Sequence, residues 1–156
     1  MKFSPEDEGF MEEALAEAAA GARAGEVPVG AVVVIAGRIV GRGHNAPISR
    51  SDPTAHAEII ALREAAATLK AYRLPGAAIY VTLEPCVMCV GAIVHARVAA
   101  IKYGARDDKA GALGSVYDIG RDGRLNHRVE AYSGLMEPRC AAILREFFES
   151  RRGGGD

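Results

Sequence analysis

Two periods govern the spacing of apolar residues along this chain. From Ser4 to Gly25 they recur at helical intervals through EGFMEEALAEAAAGARAG, and the start is marked. Ser4 suits an N-cap, Pro5 suits the first helical position, and Asp7 stands three residues past the cap. The period then shortens: VPVGAVVVIAGRIVGRGHN (27–45) holds two β-branched runs separated by Ala36 and Gly37, which predicts an antiparallel hairpin. After the loop APISRSDP (46–53) the helical period returns over Thr54 to Ala71, with Ile59, Ile60, Leu62 and Ala66 as its apolar stripe. A strand over 77–83, a helix over 85–96 and a strand over 98–105 follow. Residues 106–126 hold Gly111, Gly114, Gly120 and Gly123 and read as a long loop, a feature that compact domains usually reserve for function. A short strand within 127–134 and a helix from Glu137 to Arg151 complete the pattern, leaving Gly153 to Asp156 as a frayed tail.

Strands alternating with helices predict one α/β layered domain over residues 1–152. Its sheet is mixed, antiparallel at the hairpin and parallel where helices cross over, with helices on both faces. Ligands in such sheets sit beyond the carboxyl ends of strands. The segments that begin at His56 and at Cys86 both lie just there, so they can meet.

Composition narrows the class without naming a function. At 156 residues the chain can bury one sufficient core, and its 49% apolar and 25% charged residues are those of an ordinary globular protein. Nineteen basic residues against 20 acidic ones give a net charge of -1, so any surface for a polyanion must be local. No apolar run approaches the roughly 20 residues that span a bilayer. The acidic start MKFSPEDEGFMEEA lacks a signal-peptide core, and a cytoplasmic protein without membrane contact is expected. Three cysteines, Cys86, Cys89 and Cys140, are too few for a disulfide framework and fit a reducing compartment.

The chemistry concentrates in PTAHAEIIALREA (53–65) and LEPCVMCVGAIVHA (83–96). Read alone, His56 is a packed histidine and Glu58 a first-turn acid favoured by the helix dipole. Cys86 and Cys89, three apart at a helix start, read alone as a redox pair, as metal ligands or as two buried thiols. Together the residues say more. One imidazole and two thiolates are three ligands for a tetrahedral Zn²⁺ whose fourth position stays open for water, the arrangement of a catalytic rather than a structural site. Bound water there ionises near neutral pH. Glu58, beside the ligands but not one of them, can take the water proton and hand it on. His-x-Glu followed by Pro-Cys-x-x-Cys is the signature of zinc nucleobase deaminases.

Beyond the signature, the chain resembles the bacterial tRNA-specific adenosine deaminase family of the cytidine deaminase-like superfamily. The likeness runs through EVPVGAVVV (26–34), DPTAHAEIIALR (52–63), YRLPGAAIYVTLEPCVMC (72–89), YGARDDKAGALGS (103–115), LNHRVE (125–130) and FFESRR (147–152). It implies a three-layer α/β/α fold with a mixed central sheet, a homodimer, and conversion of adenosine to inosine at the first anticodon position of a tRNA. The arginine tRNA with anticodon ACG is the substrate that the likeness suggests. Carried over by motif, His56, Cys86 and Cys89 bind one Zn²⁺ per chain and Glu58 shuttles protons. Asn45 holds the flipped base, Val27 and Ala57 belong to its pocket, and Asp107, Phe148, Arg151 and Arg152 lie along the anticodon loop. The tail and the segment VYDIGRDGR (116–124) depart from the family pattern.

Deamination of a free base or nucleotide, such as guanine, cytidine or deoxycytidylate, uses the same zinc apparatus, and pocket shape decides between substrates. A zinc-bearing RNA-binding protein without activity is the reading from another class, and a carboxylate beside an open ligand position argues against it. Among the remaining candidates, His95 reads as a packed or interface residue, Cys140 as core, His127 as a solvated loop residue, and Lys109 as a phosphate contact.

Overall fold

A computed structural model describes residues 2–120 and 123–154. Helix α1 (Pro5–Arg23) opens on the predicted cap. Ser4 Oγ accepts the Asp7 amide at 3.1 Å, and the Asp7 carboxylate accepts the Ser4 amide at 3.0 Å, a reciprocal capping box. Asp7 does more than cap, because it also accepts Tyr80 Oη at 2.6 Å and Lys102 Nζ at 2.8 Å, which fastens α1 to the sheet.

Strands β1 (Gly30–Ile35) and β2 (Arg38–His44) form the predicted hairpin. Its turn residues Ala36 and Gly37 have φ of 51° and 77°, both left-handed, as a two-residue turn matched to strand twist requires. With β3 (Ala78–Leu83), β4 (Ala100–Ala105) and β5 (Glu130–Tyr132) they build a five-stranded sheet of order β2-β1-β3-β4-β5. β1 runs antiparallel to β2 and β3, while β3, β4 and β5 are parallel, so the sheet is mixed as expected. Residues 106–129, which connect β4 to β5, contain no helix among the described residues.

The side-chain alternation of the strands divides the core between two faces. Ala31, Val33, Ile79, Val81 and Ile101 pack against α3 (Ala57–Leu69) and α4 (Val87–His95). Val32, Val34 and Tyr80 pack against α1 and α5 (Glu137–Gly154). The result is the three-layer α/β/α architecture. On the first of these faces the approach is between backbones: a Cβ at Gly41 would stand 2.2 Å from the Ala61 carbonyl oxygen, and one at Gly43 would stand 2.5 Å from that of Ala57. Glycine on β2 therefore sets how closely α3 lies on the sheet.

The main differences from the sequence reading are three. α3 begins at Ala57 instead of Thr54, because Asp52 Oδ1 accepts both the amide and the hydroxyl of Thr54 and ties that residue into a local turn. A four-residue helix α2 (Pro47–Arg50) stands inside the loop 46–53. α5 continues to Gly154, past the expected domain end at Arg152, while Gly155 and Asp156 lie outside the described residues, as do two residues of the segment 116–124. Among the described residues no helix is long and apolar enough to cross a membrane.

Candidate active site

β2 and β3 run in the same direction on either side of β1, so the helices that follow them, α3 and α4, start at one end of the sheet. His56 and Cys86 are the N-cap residues of these helices, both with extended backbone (ψ 156° and 176°), and neither side chain caps its own helix. In α3 the vacant capping role passes to Asn45, whose Oδ1 accepts the Ala57 amide at 2.8 Å. The imidazole and the thiol are thereby left to face each other.

His56 Nδ1 lies 3.6 Å from the sulfurs of both Cys86 and Cys89, and the three donor atoms all fall within 4.8 Å of one another. One tetrahedral zinc, with its sulfurs at about 2.3 Å and a nitrogen at about 2.0 Å, sets S···N separations of about 3.5 Å. The donor set and its spacing fit that ion. The electrostatics favour one anionic sulfur, that of Cys86: hydrogen bonding from Cys89, against the opposing effect of burial and with further help from His56, brings the Cys86 thiol down to about 4. The thiol of Cys89 is driven upward by its hydrogen bond to Cys86 and by burial, and the bond to Cys86 raises His56. Both helix N-termini add their positive dipole ends.

Glu58, in the first turn of α3, is 4% exposed and stands outside the ligand trio. Burial pushes its carboxyl up to about 7. A group that titrates near the working pH can both accept and release a proton.

Four of the residues assigned to substrate by resemblance, Val27, Asn45, Phe148 and Arg151, line one cavity of about 330 Å³ with Gly25, Pro47 and Ile48. Asn45 joins this cavity to the metal-ligand cluster through its bond to Ala57. Ala57 is fully buried in the α3 core cluster, and its amide donates to Asn45. Arg151 is already engaged, donating to the Gly25 carbonyl at 2.8 Å with its guanidinium 4.6 Å above the Phe147 ring. Arg152 is exposed and does not line the cavity. Asp107 turns its carboxylate onto the amides of Lys109 and Ala110, at 3.0 and 3.2 Å, and shapes its own loop.

Two functional groups escaped the sequence reading. Glu84, 2% exposed and two residues before Cys86, accepts the amides of Asp107, Leu113 and Ser115 and the Ser115 hydroxyl. Burial alone would raise its carboxyl, but these bonds hold it below the ordinary carboxylate range and fasten the loop after β4 beside the cysteines. Glu26, 1% exposed, does the same for α2. An acid at the end of an apolar strand, as in TLEPC, was the available signal for Glu84. His127 is not a solvated residue: its Nε2 donates to the Val98 carbonyl at 2.7 Å and anchors the return to β5. His95 lines an apolar groove of about 480 Å³ on the outer side of α3 and α4. Cys140 is fully buried, and burial pushes its thiol to about 12.

Comparison with known proteins converges on one family. The family model of the MafB19-like deaminases matches residues 5–152. The tRNA-specific adenosine deaminase of Haemophilus influenzae is 48% identical over 147 residues, covering 94% of this chain and 85% of its own. A solved structure from a study of A-to-I editing by tRNA:A34 deaminases superposes with a TM-score of 0.85 at 46% identity, covering 87% of this chain and 99% of that one. A guanine deaminase from Nitrosomonas europaea superposes at 0.77, with 28% identity over 92% of this chain and 84% of its own. The chain belongs to the MafB19-like deaminases by its family model and to the tRNA-specific adenosine deaminase family by its relatives.

Proposed function

We propose that this protein hydrolyses adenosine to inosine at the first anticodon position of a tRNA, the arginine tRNA with anticodon ACG being its substrate. One Zn²⁺ per chain is held by His56, Cys86 and Cys89. The observation that carries the reading is the ligand triangle with a buried carboxylate beside it and outside it. Zinc, when bound, supplies a water that ionises near neutral pH. Glu58 delivers one proton of the attacking water to the purine ring nitrogen and the other to the departing amine, so that adenosine and water become inosine and ammonia. Asn45 orients the base: its oxygen is occupied by the Ala57 amide, which leaves its amide nitrogen to donate to the purine.

RNA rather than a free base follows from the cavity, which opens on exposed apolar residues, Ile48 and Phe148, suited to splayed loop nucleotides. The exposed Lys109 and Arg152 supply phosphate contacts, with Arg151 contributing once it exchanges its Gly25 partner. The protein works in the cytoplasm as a homodimer. Its partner copy covers the apolar groove of α3 and α4, where Tyr72 is 78% exposed beside Ile59 and Ala92.

The testing variant is Glu58→Gln. The amide cannot accept the water proton, so turnover should fall at least about a hundredfold, the scale of general acid–base catalysis, with zinc content and fold unchanged. Turnover within a few-fold of the parent would place the proton shuttle elsewhere.

A further inference from the structure

Helix α2 is held in an unusual way. None of its residues, Pro47 to Arg50, is buried, so core packing does not fix it. Its N-cap residue is Ala46, which has no side-chain acceptor for the amides of the first turn. That acceptor comes from a distant segment. The buried Glu26 carboxylate takes the Ile48 amide at 3.4 Å, the Ser49 amide at 2.7 Å and the Ser49 hydroxyl at 2.6 Å, which are the bonds an N-cap side chain would otherwise supply. Glu26 itself and Val27 line the cavity proposed for substrate, and so do Pro47 and Ile48. Ile48 is 75% exposed and Phe148 is 43% exposed, two large apolar side chains left open on a single cavity.

We propose that Glu26 is a positioning residue for RNA: by capping α2 from outside it fixes Ile48 as a wall against which an anticodon-loop base flanking the target adenosine packs. The inference rests on the reading of the protein as an RNA adenosine deaminase and adds how the flanking nucleotides are held. The bonds that Glu26 accepts come from Ile48 and Ser49 of α2, so Glu26 acts on RNA affinity through α2 and leaves the chemical step alone. Bases present flat apolar faces whatever their sequence, and an aliphatic wall beside an aromatic one suits them.

The test measures kcat and KM for inosine formation in an anticodon stem-loop, together with zinc content and thermal midpoint, for the parent, Glu26→Gln, Ser49→Ala, Ile48→Ala and the double variant Glu26→Gln/Ile48→Ala. Loss of charged or neutral hydrogen bonds to α2 should raise KM about tenfold in Glu26→Gln and about threefold in Ser49→Ala. In both, kcat should stay within about twofold, with zinc unchanged. Because Glu26 acts through Ile48, the double variant should be no weaker than the weaker single one, a non-additivity that a general loss of stability does not produce. Parental KM in both Glu26→Gln and Ser49→Ala, a fall in kcat with KM unmoved, or penalties that add would each overturn the proposal. Should Glu26→Gln fail to fold, Ser49→Ala and Ile48→Ala decide it alone. A parent that leaves the stem-loop adenosine intact overturns the functional reading and this inference with it, whereas an active parent with unmoved variants overturns only this inference.

Discussion

A methyl group added at Gly43 would stand 2.5 Å from the Ala57 carbonyl oxygen, 2.8 Å from the Ala61 nitrogen and 2.9 Å from the Ile60 Cβ. Two of these are backbone atoms of α3, so no rotamer relieves the contact and the helix itself must retreat. Restoring even a tight 3.0 Å separation from the Ala57 oxygen moves the first turn of α3 by half an ångström. Overpacking of this kind costs about 1–3 kcal/mol, or a fall in Tm of about 3–10 °C at this chain length. The same displacement reaches His56, which immediately precedes α3, and exceeds the roughly 0.2 Å tolerance of a metal-ligand distance. Zinc affinity of Gly43→Ala should therefore fall about tenfold or more, alongside the drop in Tm. Gly9→Ala is the internal control: Gly9 is an exposed position within α1 with nothing within 4 Å of an added Cβ, and alanine there should stabilise by about 0.5–1 kcal/mol without affecting zinc. Scanning calorimetry and a competitive chelator titration read the two effects. Parental Tm and parental zinc affinity in Gly43→Ala would refute the argument that β2 glycines set the position of the site.

Two further perturbations probe the scaffold and the metal. Burial alone would raise the Asp7 carboxyl, but bonds from Lys102, Tyr80 and Ser4 hold it at about 2, below its ordinary value of 3.8. A depressed carboxylate stabilises fully above its unfolded pKa and loses that contribution as pH falls through the folded one. Asp7→Asn should thus lower stability by about 2 kcal/mol at pH 7, with parent and variant converging between about pH 4 and pH 2. Denaturant midpoints across that range check it, and a constant offset would contradict the assignment. Cys86→Ala removes one of three donors and should lose most zinc and the stability that zinc confers, as measured by metal analysis of the purified variant; undiminished zinc would refute the ligand set.

What the sequence disclosed and what it hid have physical causes. Local patterns carried the elements: the Ser4–Pro5–Asp7 cap, the Ala36–Gly37 turn and the change from a 3.6 to a 2.0 period placed α1, β1 and β2 closely. The meeting of His56, Cys86 and Cys89 was legible because His56 and Cys86 each stand at a helix start beyond a strand, with Cys89 in the first turn after Cys86, and strand direction then brings the two helix starts together. Bonds between distant segments were not legible. No periodicity announces that Asp7 meets Lys102, 95 residues away, or that Glu26 caps a helix 22 residues on. Alanine at an N-cap, as at Ala46, reads as loop precisely because its partner is remote, and α2 was missed for that reason. His127 was misjudged because its acceptor, the Val98 carbonyl, lies 29 residues before it.

The most direct test of the central claim is a side-by-side deamination assay of the zinc-loaded protein on the arginine tRNA with anticodon ACG, its anticodon stem-loop, free adenosine, cytidine, deoxycytidylate and guanine, with products resolved by mass spectrometry after digestion. Inosine should form at the first anticodon position of the tRNA and of the stem-loop, with little turnover of the free compounds. Efficient conversion of guanine, cytidine or deoxycytidylate with the tRNA adenosine left intact would contradict the account and make the protein a deaminase of free bases or nucleotides.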